Sequence, residues 1–178
     1  NSVNYGEIWV SDGTPGGTTP IEKFQPTTVN QPPIGELNAM GNYVYYTAVN
    51  NSNHVVLKKT NGTLAGTSLV YDFSAFTGVP QVVFFTPVNN ILYFIVYDVN
   101  NTGYDQLWRS DGTTAGTYMV YNFGAAQFVG SRLMVAGNNF YIMLGTPGVG
   151  NVLWKSDGTA AGTAPLKTIS STVGGNYY

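Results

Sequence analysis

Gln106-Leu-Trp-Arg-Ser-Asp-Gly-Thr-Thr-Ala-Gly-Thr117 is the stretch that opens the rest of the chain, because it occurs four times without a gap. Its companions are Glu7-Ile-Trp-Val-Ser-Asp-Gly-Thr-Pro-Gly-Gly-Thr18, Val56-Leu-Lys-Lys-Thr-Asn-Gly-Thr-Leu-Ala-Gly-Thr67 and Val152-Leu-Trp-Lys-Ser-Asp-Gly-Thr-Ala-Ala-Gly-Thr163. The turn residues Asp12, Asn61, Asp111 and Asp157 stand 49, 50 and 46 residues apart, the period of a four-stranded propeller blade. Each copy reads as strand, turn, strand. Ile8, Leu57, Leu107 and Leu153 directly precede Trp9, Lys58, Trp108 and Trp154, and neighbours on a strand point to opposite faces. A sheet with large apolar residues on both faces has to be covered on both, as a blade stacked between two others is.

The turn has its own logic. Asp or Asn followed by Gly (Gly13, Gly62, Gly112, Gly158) suits a position needing positive φ, where the Asx oxygen accepts nearby backbone N–H groups. The second glycine of each copy (Gly17, Gly66, Gly116, Gly162) reads as another left-handed or bulge position. Beyond the turn, Ile21, Val70, Val120 and Leu166, each followed three residues later by Phe24, Phe73, Phe123 and Ile169, read as core of a fourth strand. Between motifs two further strands fit: inner strands over 34–40, 81–86 and 131–136, then strands over 43–49, 91–99 and 140–145, joined by short Asn- and Gly-containing turns.

The expected fold is therefore all-β: one β-propeller domain over 1–178 with four-stranded antiparallel blades. Its approximate repeats are 1–24, 25–73, 74–123, 124–169 and 170–178. The chain enters in the third strand of a blade, and Tyr177-Tyr178 fall where another first strand opens. A four-bladed ring and an arc of a larger propeller both fit that arrangement. A start at Asn1 reads as a processed or excerpted chain.

The segments Glu7-Ile-Trp-Val-Ser-Asp-Gly-Thr14, Gln106-Leu-Trp-Arg-Ser-Asp-Gly-Thr113 and Val152-Leu-Trp-Lys-Ser-Asp-Gly-Thr159 resemble the ELWxxDGT repeat of large secreted and surface proteins of prokaryotes. All four copies also match its Gly-Thr continuation. The second copy departs most, with Lys58 for Trp and Asn61 for Asp. The resemblance implies a propeller-like, surface-associated protein and says little about activity, since the shared residues are turn and core residues. A looser similarity to the Asp-box of sialidase-type propellers is a likeness of fold alone.

Composition narrows the function classes. Charged residues make up 9% of the 178, while 43% are hydrophobic and 14% aromatic, enough apolar surface for a real core. Net charge is −2 and the pI about 5.1, so there is no basic field for a phosphate backbone, and nucleic acid is not an expected partner. Cysteine is absent, which removes disulfides, thiolate metal sites and cysteine nucleophiles together. The longest apolar runs, such as 91–96, are of strand length, so no membrane insertion is expected.

Catalytic chemistry finds few footholds. His54 is the single histidine and sits in the polar loop Asn50-Asn-Ser-Asn-His54, where a solvated role is the plain reading. Glycoside hydrolysis usually needs two facing carboxyl groups, but Asp12, Asp111 and Asp157 recur in separate copies and read as structural. Each motif offers one acid, whereas calcium wants several oxygens close together. No metal and no cofactor is expected. Residues that break the repeat are the better binding candidates: Glu36, Arg132, Asp98, Asp105 and Lys58, with Glu36 and Arg132 on inner strands where they would line a central channel. Tyr43, Tyr45, Tyr46, Tyr93, Tyr97 and Tyr141 offer stacking faces but read first as packing groups, and Trp9, Trp108 and Trp154 as inter-blade packing. Asn50, Asn61 and Asn100 begin Asn-x-Ser/Thr sequons, which permit glycosylation without requiring it.

The leading expectation is a non-catalytic extracellular or cell-surface module with a structural, adhesive or assembly role, joined to copies of itself or to other surface proteins. A carbohydrate-binding propeller is the alternative, and a glycan-cleaving enzyme the third reading.

Overall fold

The computed structural model describes residues 5–25, 32–76, 78–98, 105–124, 127–128, 133–146 and 148–170. These form fifteen strands in four antiparallel sheets, with no helix among the described residues. Sheet 1 pairs β1 (Gly6–Val10) with β2 (Thr19–Phe24). Sheet 2 runs in chain order through β3 (Ile34–Met40), β4 (Tyr43–Val49), β5 (Val55–Thr60) and β6 (Ser68–Asp72). Sheet 3 repeats that meander with β7 (Pro80–Val88), β8 (Ile91–Asp98), β9 (Gln106–Ser110) and β10 (Tyr118–Asn122). In sheet 4, β13 (Asn139–Thr146), β14 (Gly150–Ser156) and β15 (Ala164–Ser170) follow the pattern. Its first position is shared by β11 (Gln127–Phe128) and β12 (Met134–Ala136), both paired with β13. The strand expected over 131–136 is described as β12 over 134–136, with residues 131 and 132 outside the described residues, and all three residues of β12 are exposed.

The four motif hairpins share one irregularity. Ile8 pairs with Glu22 and Trp9 with Pro20; Leu57 with Tyr71 and Lys58 with Leu69; Leu107 with Tyr121 and Trp108 with Met119; Leu153 with Lys167 and Trp154 with Pro165. One residue of the returning strand (Ile21, Val70, Val120, Leu166) is skipped each time, which makes a bulge at the same place in every copy and locally increases the twist. This register makes Glu22, Tyr71, Tyr121 and Lys167 equivalent positions.

Core packing lies between sheets. Ile8 and Phe24 bury against Tyr46, Ala48 and Val56 of sheet 2. Leu57, Val70 and Phe73 bury against Phe94 and Trp108 of sheet 3, and Leu107, Val120 and Phe123 against Phe140, Ile142 and Leu144 of sheet 4. The motif leucine therefore faces the next sheet and the motif tryptophan the preceding one. Trp108 lies 5.5 Å from the ring centres of both Tyr71 and Phe73. Trp154 lies 5.7 Å from Tyr121 and 5.2 Å from Phe123. The inner strands touch as well: β3 packs against β7, and Asn38 Nδ2 donates to the Phe85 carbonyl at 2.9 Å. That carbonyl sits in a bulge of β7, where Phe84 takes φ of 62°.

The sheet 1–sheet 2 seam replaces aromatics with charges. Lys58 stands at the tryptophan position, Glu22 at the tyrosine position, and the two form an ion pair. The Lys58 ammonium also lies 5.4 Å from the centre of the Phe24 ring, a cation–π contact, and the Tyr46 hydroxyl donates to Glu22 at 2.6 Å. Burial and that hydrogen bond hold the Tyr46 phenol far above the ordinary tyrosine range. One departure at each partner has kept a matched pair.

Three expected packing residues lie open instead. Trp9 is 51% exposed, Leu166 56% and Ile169 58%. Trp9 faces away from sheet 2, and Leu166 and Ile169 face away from sheet 3, so none has a neighbouring sheet among the described residues. The indole of Trp9 still donates to Glu7 at 2.9 Å, as Trp108 does to Gln106 at 2.8 Å. Val152 occupies that acceptor position in the last copy, and the buried Trp154 Nε1 is left without a partner.

Trp108→Ala should cost about 3–5 kcal/mol in denaturant unfolding, the range for losing a buried aromatic. Trp9→Ala in the dilute chain should stay within about 0.5 kcal/mol. In a double-mutant cycle, Glu22→Tyr and Lys58→Trp should each destabilise alone, yet together recover a coupling of about 1–3 kcal/mol by rebuilding the aromatic pair of the other seams. Additive losses would contradict the equivalence of these positions.

Candidate functional site

The four motif turns are the most repeated polar chemistry in the molecule. In the third copy, Asp111 Oδ1 accepts the Thr113 N–H at 2.9 Å and its hydroxyl at 2.7 Å. The Thr113 hydroxyl oxygen accepts the Gly116 N–H at 3.0 Å, and the Thr117 hydroxyl donates to the Thr113 carbonyl at 2.7 Å. Ser110 Oγ accepts the Gly112 N–H at 3.0 Å and lies 2.7 Å from Thr117 Oγ1. Since Thr117 has spent its one proton on Thr113, Ser110 is the donor in that last contact. The first and fourth copies repeat these bonds with Ser11, Asp12, Thr14 and Thr18, and with Ser156, Asp157, Thr159 and Thr163. The second copy makes the same contacts with Thr60, Asn61, Thr63 and Thr67, with Thr67 Oγ1 as the donor toward Thr60 Oγ1. Asn61 serves in place of Asp because the network uses a single oxygen acceptor.

Both turn glycines are required, for different reasons. Gly13, Gly62, Gly112 and Gly158 take φ between 87° and 92°, which strains any residue with a Cβ. A Cβ on Gly112 or Gly158 would also run into the hydroxyl of Tyr45 or Tyr93 in the preceding sheet. The second glycines, expected at a left-handed or bulge position, are not among the positive-φ residues. Their requirement is steric: a Cβ on Gly17, Gly66, Gly116 or Gly162 would overlap the Asx side chain of its own turn. The third turn is locked to the preceding sheet. Lys59 Nζ donates to the Gly112 carbonyl at 2.8 Å, and the Thr114 hydroxyl to the Val70 carbonyl at 2.9 Å. Accordingly Ser110 and Ser156 are fully buried, while Ser11, with no preceding sheet, is exposed.

The hydrogen bonds from Thr14, Thr113 and Thr159 hold the Asp12, Asp111 and Asp157 carboxyls below the usual aspartate range. They are charged acceptors at neutral pH, the opposite of what a general acid needs.

Of the candidate binding residues, Glu36, Asp105 and Lys58 have described side chains. Glu36 is half-buried in a cleft of about 240 Å³ between the outer ends of β3 and β7, lined also by Gly35, Thr47, Gln81 and Val83. The cleft offers one carboxylate, one amide and one hydroxyl, suited to hydrogen-bonding a small polar group. Arg132, expected with Glu36 along a central channel, lies outside the described residues, as does Asn100; the same holds for the side chain of Asp98. Asp105 is buried at the start of β9, near Tyr97. Lys58 is committed to Glu22. His54 Nδ1 lies 3.7 Å from Asp72, and Asn50 Oδ1 accepts the N–H groups of Ser52 and His54, so the sequon at Asn50 doubles as the cap of its loop. Among the described residues no group of three His, Cys, Asp or Glu side chains is placed to hold a metal ion. Tyr45, Tyr46 and Tyr93 are buried, and Tyr43, Tyr97 and Tyr141 half-buried.

Glu22 and Lys59 escaped the residue-by-residue reading. Aligning the returning strands would have exposed Glu22, since it sits where the next two copies carry Tyr71 and Tyr121, opposite the one motif that lacks tryptophan. No protein-family model matches the chain, and no curated protein matches it either.

Acid titration tests the turns. The three depressed aspartates contribute stability that is whole above their unfolded pKa of about 3.9 and lost as pH falls through the lower folded values. The thermal midpoint should therefore drop steeply below about pH 4. An Asp12→Asn, Asp111→Asn, Asp157→Asn triple variant, built on the acceptor already present at Asn61, should flatten that limb; an unchanged limb would place the acid sensitivity elsewhere.

Proposed function

We propose that this chain is a non-catalytic architectural module of the ELWxxDGT-repeat kind, a β-propeller or arc of one that works at a cell surface or in an extracellular assembly. The carrying observation is the fate of the repeated polar residues. The Asx acceptor, both threonine hydroxyls and the Ser or Thr hydroxyl of each turn are spent on bonds within that turn. The most repeated chemistry of the molecule thus goes into holding hairpins and docking each sheet on the one before it. Charge poverty and equivalent seams between successive sheets support the same reading.

A second reading, a carbohydrate-binding propeller, draws on the cleft at Glu36, Gln81 and Thr47. Against it, no aromatic ring is exposed at the same position in two described copies, so the stacking platform that sugars favour is not repeated.

Negative-stain imaging with light scattering on the purified chain, followed by a glycan array, separates the two. Ordered assemblies with an empty array support the architectural module. A monomer that binds one class of glycan, with binding lost in Glu36→Ala, would replace it by the lectin reading.

A further inference from the structure

The three seams between sheets follow one rule, and among the described residues the outermost faces carry its two unmatched halves. On each forward face stand the motif leucine, the tyrosine-position residue and the phenylalanine-position residue of the returning strand. On each backward face stand the tryptophan-position residue and the glycine turn. Sheet 1 presents a backward face with Trp9 exposed, and a Cβ on Gly13 would meet nothing within 4 Å. Sheet 4 presents a forward face with Leu166 and Ile169 exposed and Leu153 half-buried.

We infer that the sheet 4 forward face of one molecule docks on the sheet 1 backward face of a second copy, continuing the internal seam from chain to chain. This rests on the architectural reading above and names its contact. Register supplies the partners. Lys167 stands where Tyr71 and Tyr121 meet the tryptophan of the next sheet, so it comes over Trp9. Glu7, already bonded to the Trp9 indole, lies beside it. The junction is the charge-reversed counterpart of Glu22 with Lys58: there the cation comes from the backward face, here from the forward face. Lys155 is equivalent to Lys59, which donates to the turn carbonyl of the next sheet, and so meets Gly13. Tyr141 is equivalent to Tyr45 and Tyr93, whose hydroxyls cover Gly112 and Gly158, and so covers the open Gly13. Two different faces meeting in this way make a heterologous, head-to-tail contact, which propagates as a ring or a filament.

A charge swap across the junction tests it, using residues exposed in the free chain. Trp9→Lys sets an ammonium against Lys167, and Lys167→Glu sets a carboxylate against Glu7. Wild type should assemble with rising concentration in light scattering or sedimentation, and each single variant should assemble at least about tenfold more weakly, the scale of a lost close charge contact. An equimolar mixture of the two variants should assemble again, because every junction is then either Lys167 on Trp9 or Glu on Lys, the pairing seen at Glu22 and Lys58. Wild-type assembly that neither variant weakens overturns the junction while leaving the architectural reading standing. A wild type that stays monomeric at every concentration overturns the junction, and glycan binding by that monomer would overturn the architectural reading as well. A mixture no more assembled than its components also overturns it.

Discussion

A sheet that is apolar on both faces is insoluble on its own, and this chain makes four of them. Leucine forward and tryptophan or lysine backward, on adjacent residues of one strand, force each sheet to lie between two others. Everything else follows from that demand: the core is a series of seams, Ser110 and Ser156 at the feet of the later turns are buried where a sheet precedes them, and among the described residues the two end faces of the series stay uncovered. Trp9 and Ile169 are more than half exposed because of where they stand in the series, since chemically equivalent residues inside it are buried.

The turns make the stacking precise. Three hydroxyls and one Asx oxygen are wired so that each proton has a single destination, which leaves the hairpin little freedom of register. In the third and fourth copies the first glycine presents bare backbone to a tyrosine hydroxyl of the neighbouring sheet. A residue with a side chain there would strain the turn and push the sheets apart together. Local hydrogen bonding and long-range packing thus meet on one atom-sized gap at Gly112 and Gly158.

The exchange of Trp–Tyr for Lys–Glu at the first seam shows what the fold requires of that position. Rings opposite rings bury area without a solvation cost. A cation opposite an anion neutralises both charges, helped by the Tyr46 hydroxyl and the face of Phe24. Either solution closes the seam, whereas half of each would leave a partly buried charge against a ring or a gap. Of the candidate binding residues, Glu36 lies in a cleft between sheets 2 and 3 and Asp105 is buried beside Tyr97.

Much of the fold was written in the sequence. The 49-, 50- and 46-residue spacing of the turn residues placed the hairpins, and strands 34–40 and 43–49 have the expected bounds, because period-2 patterning and Asx-Gly turns act locally. Sequence also marked Lys58 as an exception. It did not reveal that Glu22 answers Lys58, that the second glycine is needed for the Asx side chain and not for its φ, or that Leu166 and Ile169 are bare. Those facts depend on which sheet lies against which face, and a strand's own residues state only that a face must be covered. The partner that covers it is decided by packing between segments fifty residues apart, where no local rule reaches.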